Sequence, residues 1–151
     1  MHAYQTLLVA VDFSEHSERA LLRAIELAKG SPADIKVVHV FALATHPILE
    51  DIAVLGLPGV LDTEETQETT VLAKQNLNAL LLKSGLKTEQ GKLVAGIAWS
   101  EILNYATQIK ADAIVLGSQG ATDLSQSLGS TVENVLHHAT CDVITVRLSN
   151  D

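Results

Sequence analysis

Residues 113–146 read AIVLGSQGATDLSQSLGSTVENVLHHATCDVITV. Ala113–Leu116 is a short apolar run of the kind that forms a buried strand. Gly117 and Gly120 follow, then a mostly polar loop of eight residues, Ala121–Leu128, and then Gly129, Ser130 and Thr131. From there Val132, Val135, Leu136 and Ala139 recur at helical spacing on one face. Val143–Val146 is a second apolar run. The unit therefore predicts strand, glycine-rich loop, helix, strand. Glycines at such a junction let backbone N–H groups approach an anion, and a helix start adds free donors and partial positive charge. The same residues also suit a plain turn and a helix cap. The pattern is neither a P-loop, since no Gly-Lys-Ser/Thr follows, nor G-x-G-x-x-G.

Upstream, the chain repeats the alternation. Thr6–Asp12 carries the continuous apolar run LLVAV, which marks a strand buried on both faces. Ser14 is the predicted N-cap of a first helix whose Leu21, Ala24, Ile25 and Ala28 face the core, and Gly30 and Pro32 stop it. Ile35–Phe41 is the second strand. Ala42–Asp62 holds Pro47, Pro58, Gly56 and Gly59 and is the least regular segment, a long loop of functional type. Thr63–Ser84 is the longest helix, with Ala73, Leu77, Leu80 and Leu81 inside and Gly85 at its end. Thr88–Val94 is the third strand. Gly96 and Ala98 lead into a helix with Ile102, Ala106 and Ile109 inward. Alternation of this kind implies one domain over residues 1–151, a parallel sheet with helices on both faces. In such sheets a carboxylate at a strand end, here Asp12, sits where ligands bind, although it also suits a turn-capping role.

Composition narrows the function. A net charge of −8 with scattered Lys and Arg argues against nucleic acid or an anionic membrane surface as partner. Aromatics are 3% of the chain, so the core is aliphatic. The single Cys141 excludes an internal disulfide and fits a reducing cytoplasm. The opening MHAYQTLLVAVDFS lacks a basic n-region and a cleavage site and reads as a strand, not a signal peptide. No apolar run approaches a membrane span. Catalytic groupings are thin. His137 and His138 are neighbours on a helix and point about 100° apart, so they do not chelate together. His39, in a buried strand, reads as a hydrogen-bonded core histidine. Trp99 reads as a packing residue.

The loop with Gly117, Gly120, Gly129 and Ser130 resembles the nucleotide-binding signature of the universal stress protein family, and GSTVENVLHHATCDVITV continues the likeness. The resemblance covers essentially the whole chain. It departs from the family pattern in a loop one residue shorter, with no Lys or Arg. The resemblance implies an adenine nucleotide alpha hydrolase-like sheet of order 3-2-1-4-5. It implies that Asp12 contacts the nucleoside, that Ala10, Val11 and Val40 line the adenine pocket, and that Gly117, Gly120, Gly129, Ser130 and Thr131, with Leu116 just before them, surround the phosphates. It implies ATP or AMP as ligand, with Mg²⁺ needed for any turnover, and a homodimer through Val143–Val146. Two functions stay open: a nucleotide-binding stress-response module that is not an enzyme, and a dimeric scaffold that has lost its nucleotide. The shorter loop, without Lys or Arg, predicts modest affinity and weak discrimination between ATP and AMP.

Overall fold

The computed structural model describes residues 3–42, 64–119 and 128–148. Five strands, β1 (Thr6–Ala10), β2 (Asp34–Phe41), β3 (Gly91–Ala95), β4 (Ala113–Gly117) and β5 (Asp142–Val146), form one parallel sheet in the order β3-β2-β1-β4-β5. Four described helices cross between them: α1 (Glu15–Ala28), α2 (Glu64–Lys83), α3 (Ala98–Gln108) and α4 (Ser130–His138). The expected strand order is the one found.

Alternation along each strand divides the core into two layers. Leu7, Val9, Val37 and Val115 point to one face, where Ala20, Leu21 and Ala24 of α1 and Leu77, Leu80 and Leu81 of α2 cover them. Leu8, Val38, Ile114 and Leu116 point to the other, under Ile102 and Ala106 of α3 and Val132 and Val135 of α4. This is why the central strands read as unbroken apolar runs: every side chain has a helix above or below it. All five residues of β4 are buried, whereas the edge strands β3 and β5 are mostly half-exposed.

The local signals work as the chemistry requires. Ser14 caps α1, its Oγ accepting the Ser17 N–H at 3.2 Å. Gly30 and Gly85 take the left-handed backbone, φ +74° and +78°, just past the ends of α1 and α2. The expected inner stripe of α2, Ala73, Leu77, Leu80 and Leu81, is buried throughout.

Three expectations are corrected. The third strand begins at Gly91, not Thr88, because Thr88–Gln90 is a turn of 3₁₀ helix. Gln90 stabilises that turn: its Oε1 accepts the Lys87 N–H and its Nε2 donates to the Ile35 carbonyl, so a side chain stands where ladder bonds would run. The first strand ends at Ala10, two residues before Asp12. Leu136, expected on the buried face of α4, is 44% exposed, since the short helix buries only Val132 and Val135.

Candidate functional site

Strands β1 and β4 are neighbours, yet α1 and α4 leave their C-terminal ends on opposite faces of the sheet. A crevice opens where the chain diverges in this way.

The β1 side is knitted by side chains. Asp12 Oδ1 accepts hydrogen bonds from the Ser14 N–H at 3.1 Å and from the Ser14 hydroxyl. The Asp12 N–H donates to Ser17 Oγ at 3.2 Å, and Ser17 Oγ–H donates to the Ser14 carbonyl at 3.1 Å. Phe13, between the members of this ring, has φ +64°, a left-handed conformation that an aromatic residue holds only under constraint. The constraint includes His39, whose ring lies 4.5 Å from that of Phe13 and whose Nδ1 donates to the Val11 carbonyl at 2.7 Å. His39 is therefore the hydrogen-bonded structural histidine expected. Asp12 caps the turn and also lies on the crevice wall.

The β4 side is built from backbone. A Cβ on Gly117 would lie 2.6 Å from the carbonyl carbon and Cβ of His16, so the first turn of α1 demands glycine there. The Ser118 N–H then donates to the Val146 carbonyl at 2.9 Å, and the Gly129 N–H donates to the Ser118 carbonyl at 3.0 Å. That second bond returns the chain to the end of β4 and sets Gly129 as the N-cap of α4. Gly129 has no side chain to cap with. The first N–H groups of α4, at Ser130 to Val132, have no partner within the helix and stand at its positive end.

Between the two sides lies a cavity of about 650 Å³, a volume ordinary for a small-molecule site. Ala10, Val11, Asp12 and Val40 line one part of it, and Leu116, Gly117, Gly129, Ser130 and Thr131 another. Nine sequence-predicted residues thus share one wall. The tenth, Gly120, lies outside the described residues, as does most of the 42–62 segment. The wall also includes residues that sequence reading placed in the core or passed over. Val38, Ile102 and Val132 are core positions whose outer ends reach the cavity; Ser17, Ala42, Ala98 and Gln119 complete it. Of these only Ser17 had a signal in the sequence, a polar residue one turn before Leu21 on the inward stripe of α1, and it was missed.

Asp12 is the one charged residue on the described wall. Among the described residues no group of three His, Cys, Asp or Glu side chains could hold a metal ion. Mg²⁺ is commonly bound through one or two carboxylates with substrate phosphates, so here Asp12 and the phosphates of a ligand would have to hold it between them. His137 and His138 are exposed at the far end of α4, and His138 stacks on Trp99 with ring centroids 4.8 Å apart. Trp99 packs against the α3–α4 layer as expected. Burial pushes the Cys141 thiol up, away from thiolate chemistry.

The fold and its crevice define a doubly wound α/β protein with a ligand-sized cavity at its topological switch point. The chain belongs to the universal stress protein family, whose model matches residues 3–147. It is 31% identical over 146 residues to universal stress protein A homolog 1 of Coxiella burnetii, covering 97% of each chain. The universal stress protein UspA of Lactobacillus plantarum superposes with a TM-score of 0.70 at 27% identity, over 97% of this chain and all of that one. A universal stress protein solved in complex with cAMP shares the fold at 24% identity and a TM-score of 0.61, over 98% of this chain and all of that one.

Proposed function

We infer that this protein is a stress-response module of the cytoplasm that binds an adenine nucleotide, ATP or AMP, and acts through occupancy rather than catalysis. The observation that carries this reading is the meeting of a strand-end carboxylate and a helix N-terminus across one cavity. Asp12 takes the nucleoside end, with Ala10, Val11 and Val40 against the base. Gly117, Gly120, Gly129, Ser130 and Thr131 take the phosphates, using backbone N–H groups and hydroxyls. At 24% identity the likeness to the cAMP complex concerns the fold; the nucleotide is suggested by the cavity of this chain. The described wall offers no nucleophile paired with a base, which favours binding over turnover. Calorimetric titration with ATP, ADP and AMP tests the reading. Heat and a thermal shift are expected; neither at millimolar nucleotide would reject it for the alternative, a dimeric scaffold without ligand, which the shorter loop without Lys or Arg favours.

The same reading includes a homodimer through β5, with the single domain of residues 1–151 as its protomer. β5 is an edge strand. The Asp142 N–H bonds back to Asp112 O, and the Val146 carbonyl accepts from Ser118. Strand alternation then turns the N–H groups of Val143 and Thr145 outward, where an antiparallel copy would pair with them. Thr145→Pro removes an outward donor and leaves the β4 ladder alone. Light scattering at micromolar concentration should show the parent as a dimer and the variant as a monomer. A monomeric parent, or a variant still fully dimeric, rejects the interface.

A further inference from the structure

We propose that the cavity ranks adenine ligands by charge, binding adenosine and cAMP more tightly than AMP, and AMP more tightly than ATP. This rests on the nucleotide reading above. Three observations carry it.

First, the chain has ten Lys and Arg residues, all within the described segments, and none lines the cavity. Neither 43–63 nor 120–127 contains Lys or Arg, so no such cation is available from those segments. Second, the charge on the described wall is negative, at Asp12. Third, each helix that contributes to the wall already carries glutamate in its first turn: Glu15 and Glu18 on α1, Glu101 on α3, Glu133 on α4. Of these, Glu18 meets Lys83 at 3.7 Å on the α1–α2 side. Those carboxylates offset the dipoles that would otherwise attract an anion. What remains for a phosphate is N–H donors and hydroxyls at the start of α4. Hydrogen-bond donors at a helix start are enough to hold a phosphodiester. A second or third phosphate charge enters a cavity with nothing to balance it and with Asp12 across the way, where the repulsion is screened less than in bulk water.

The test is a set of titrations of the intact protein in EDTA at low, matched ionic strength, with adenosine, cAMP, AMP, ADP and ATP. Affinity should fall from cAMP and adenosine to AMP and again to ATP, by about tenfold per step of added charge. ATP binding as tightly as cAMP would overturn the charge rule and leave the nucleotide reading intact. No binding by any of the five would overturn both. Two variants sharpen the result, read as the ratio of ATP to adenosine affinity within each protein so that changes at the nucleoside end cancel. Asp12→Asn should raise that ratio about tenfold, and Gln119→Arg, which adds a cation to the wall, should raise it at least as far. A ratio unmoved in both overturns the proposal.

Discussion

The turn after β1 is held by side chains, a closed ring of Asp12, Ser14 and Ser17 with Phe13 forced into a left-handed backbone. The turn after β4 is held by backbone: a glycine pressed against His16, and two main-chain bonds through Ser118. The two flank the same cavity, at the ends of adjacent strands. A turn made from side chains fixes a functional group in place. A turn made from glycine and main chain leaves N–H groups available and lets another element come close. The pairing also shows that two glycines of one motif can be glycine for different reasons. Gly117 is required by packing against α1, whereas Gly129 is the N-cap of α4 on the cavity wall.

The largest way to break this comparison is Gly117→Val. With His16 backbone at 2.6 Å from even the first added carbon, α1 or β4 must shift. Overpacking of this kind costs about 1–3 kcal/mol and more when backbone must move, so urea denaturation should show a loss of at least that size whether or not nucleotide is present. A stability equal to the parent's would mean that α1 yields easily and that the glycine serves the ligand after all. Gly120→Val should do the reverse, leaving the denaturation midpoint near the parent's while abolishing nucleotide binding, a loss of tenfold or more and hence at least about 1.4 kcal/mol. If that variant binds as well as the parent, Gly120 has no place in the phosphate site. Ser14→Ala gives the smallest effect. It removes the cap of α1 and the hydroxyl bond to Asp12 together, while the Ser14 N–H bond to Asp12 stays, for about 1 kcal/mol of stability. Differential scanning calorimetry should record the lowered midpoint; an unchanged one would show that water replaces the hydroxyl at both bonds.

Much of this was legible in the sequence, for identifiable reasons. LLVAV and AIVL are unbroken apolar runs because helices cover both faces, so the central strands announce themselves. Asp12 and Gly117 stand at the ends of those runs, which is why they could be placed in one crevice before any coordinates. The edge was harder to read. In TEQGKLV only Leu93 and Val94 are apolar, and nothing in the polar residues before them marks the part in which the Gln90 amide substitutes for the ladder. The cavity wall was read incompletely because Val38, Ile102 and Val132 serve the core and the cavity at once. Their spacing reports the first role and is silent on the second. Leu136 fits the helical stripe of α4 by number, but the narrow contact of a short helix with the sheet leaves it outside.

The stacking of His138 on Trp99 has an optical consequence. Trp99 is the only indole in the chain, and it follows Ala98, a residue of the cavity wall. Indole emission responds to what packs against the ring, so the fluorescence of this protein should change when a ligand presses on the start of α3. The molecule therefore carries its own reporter dye, reading the α3–α4 contact without a label.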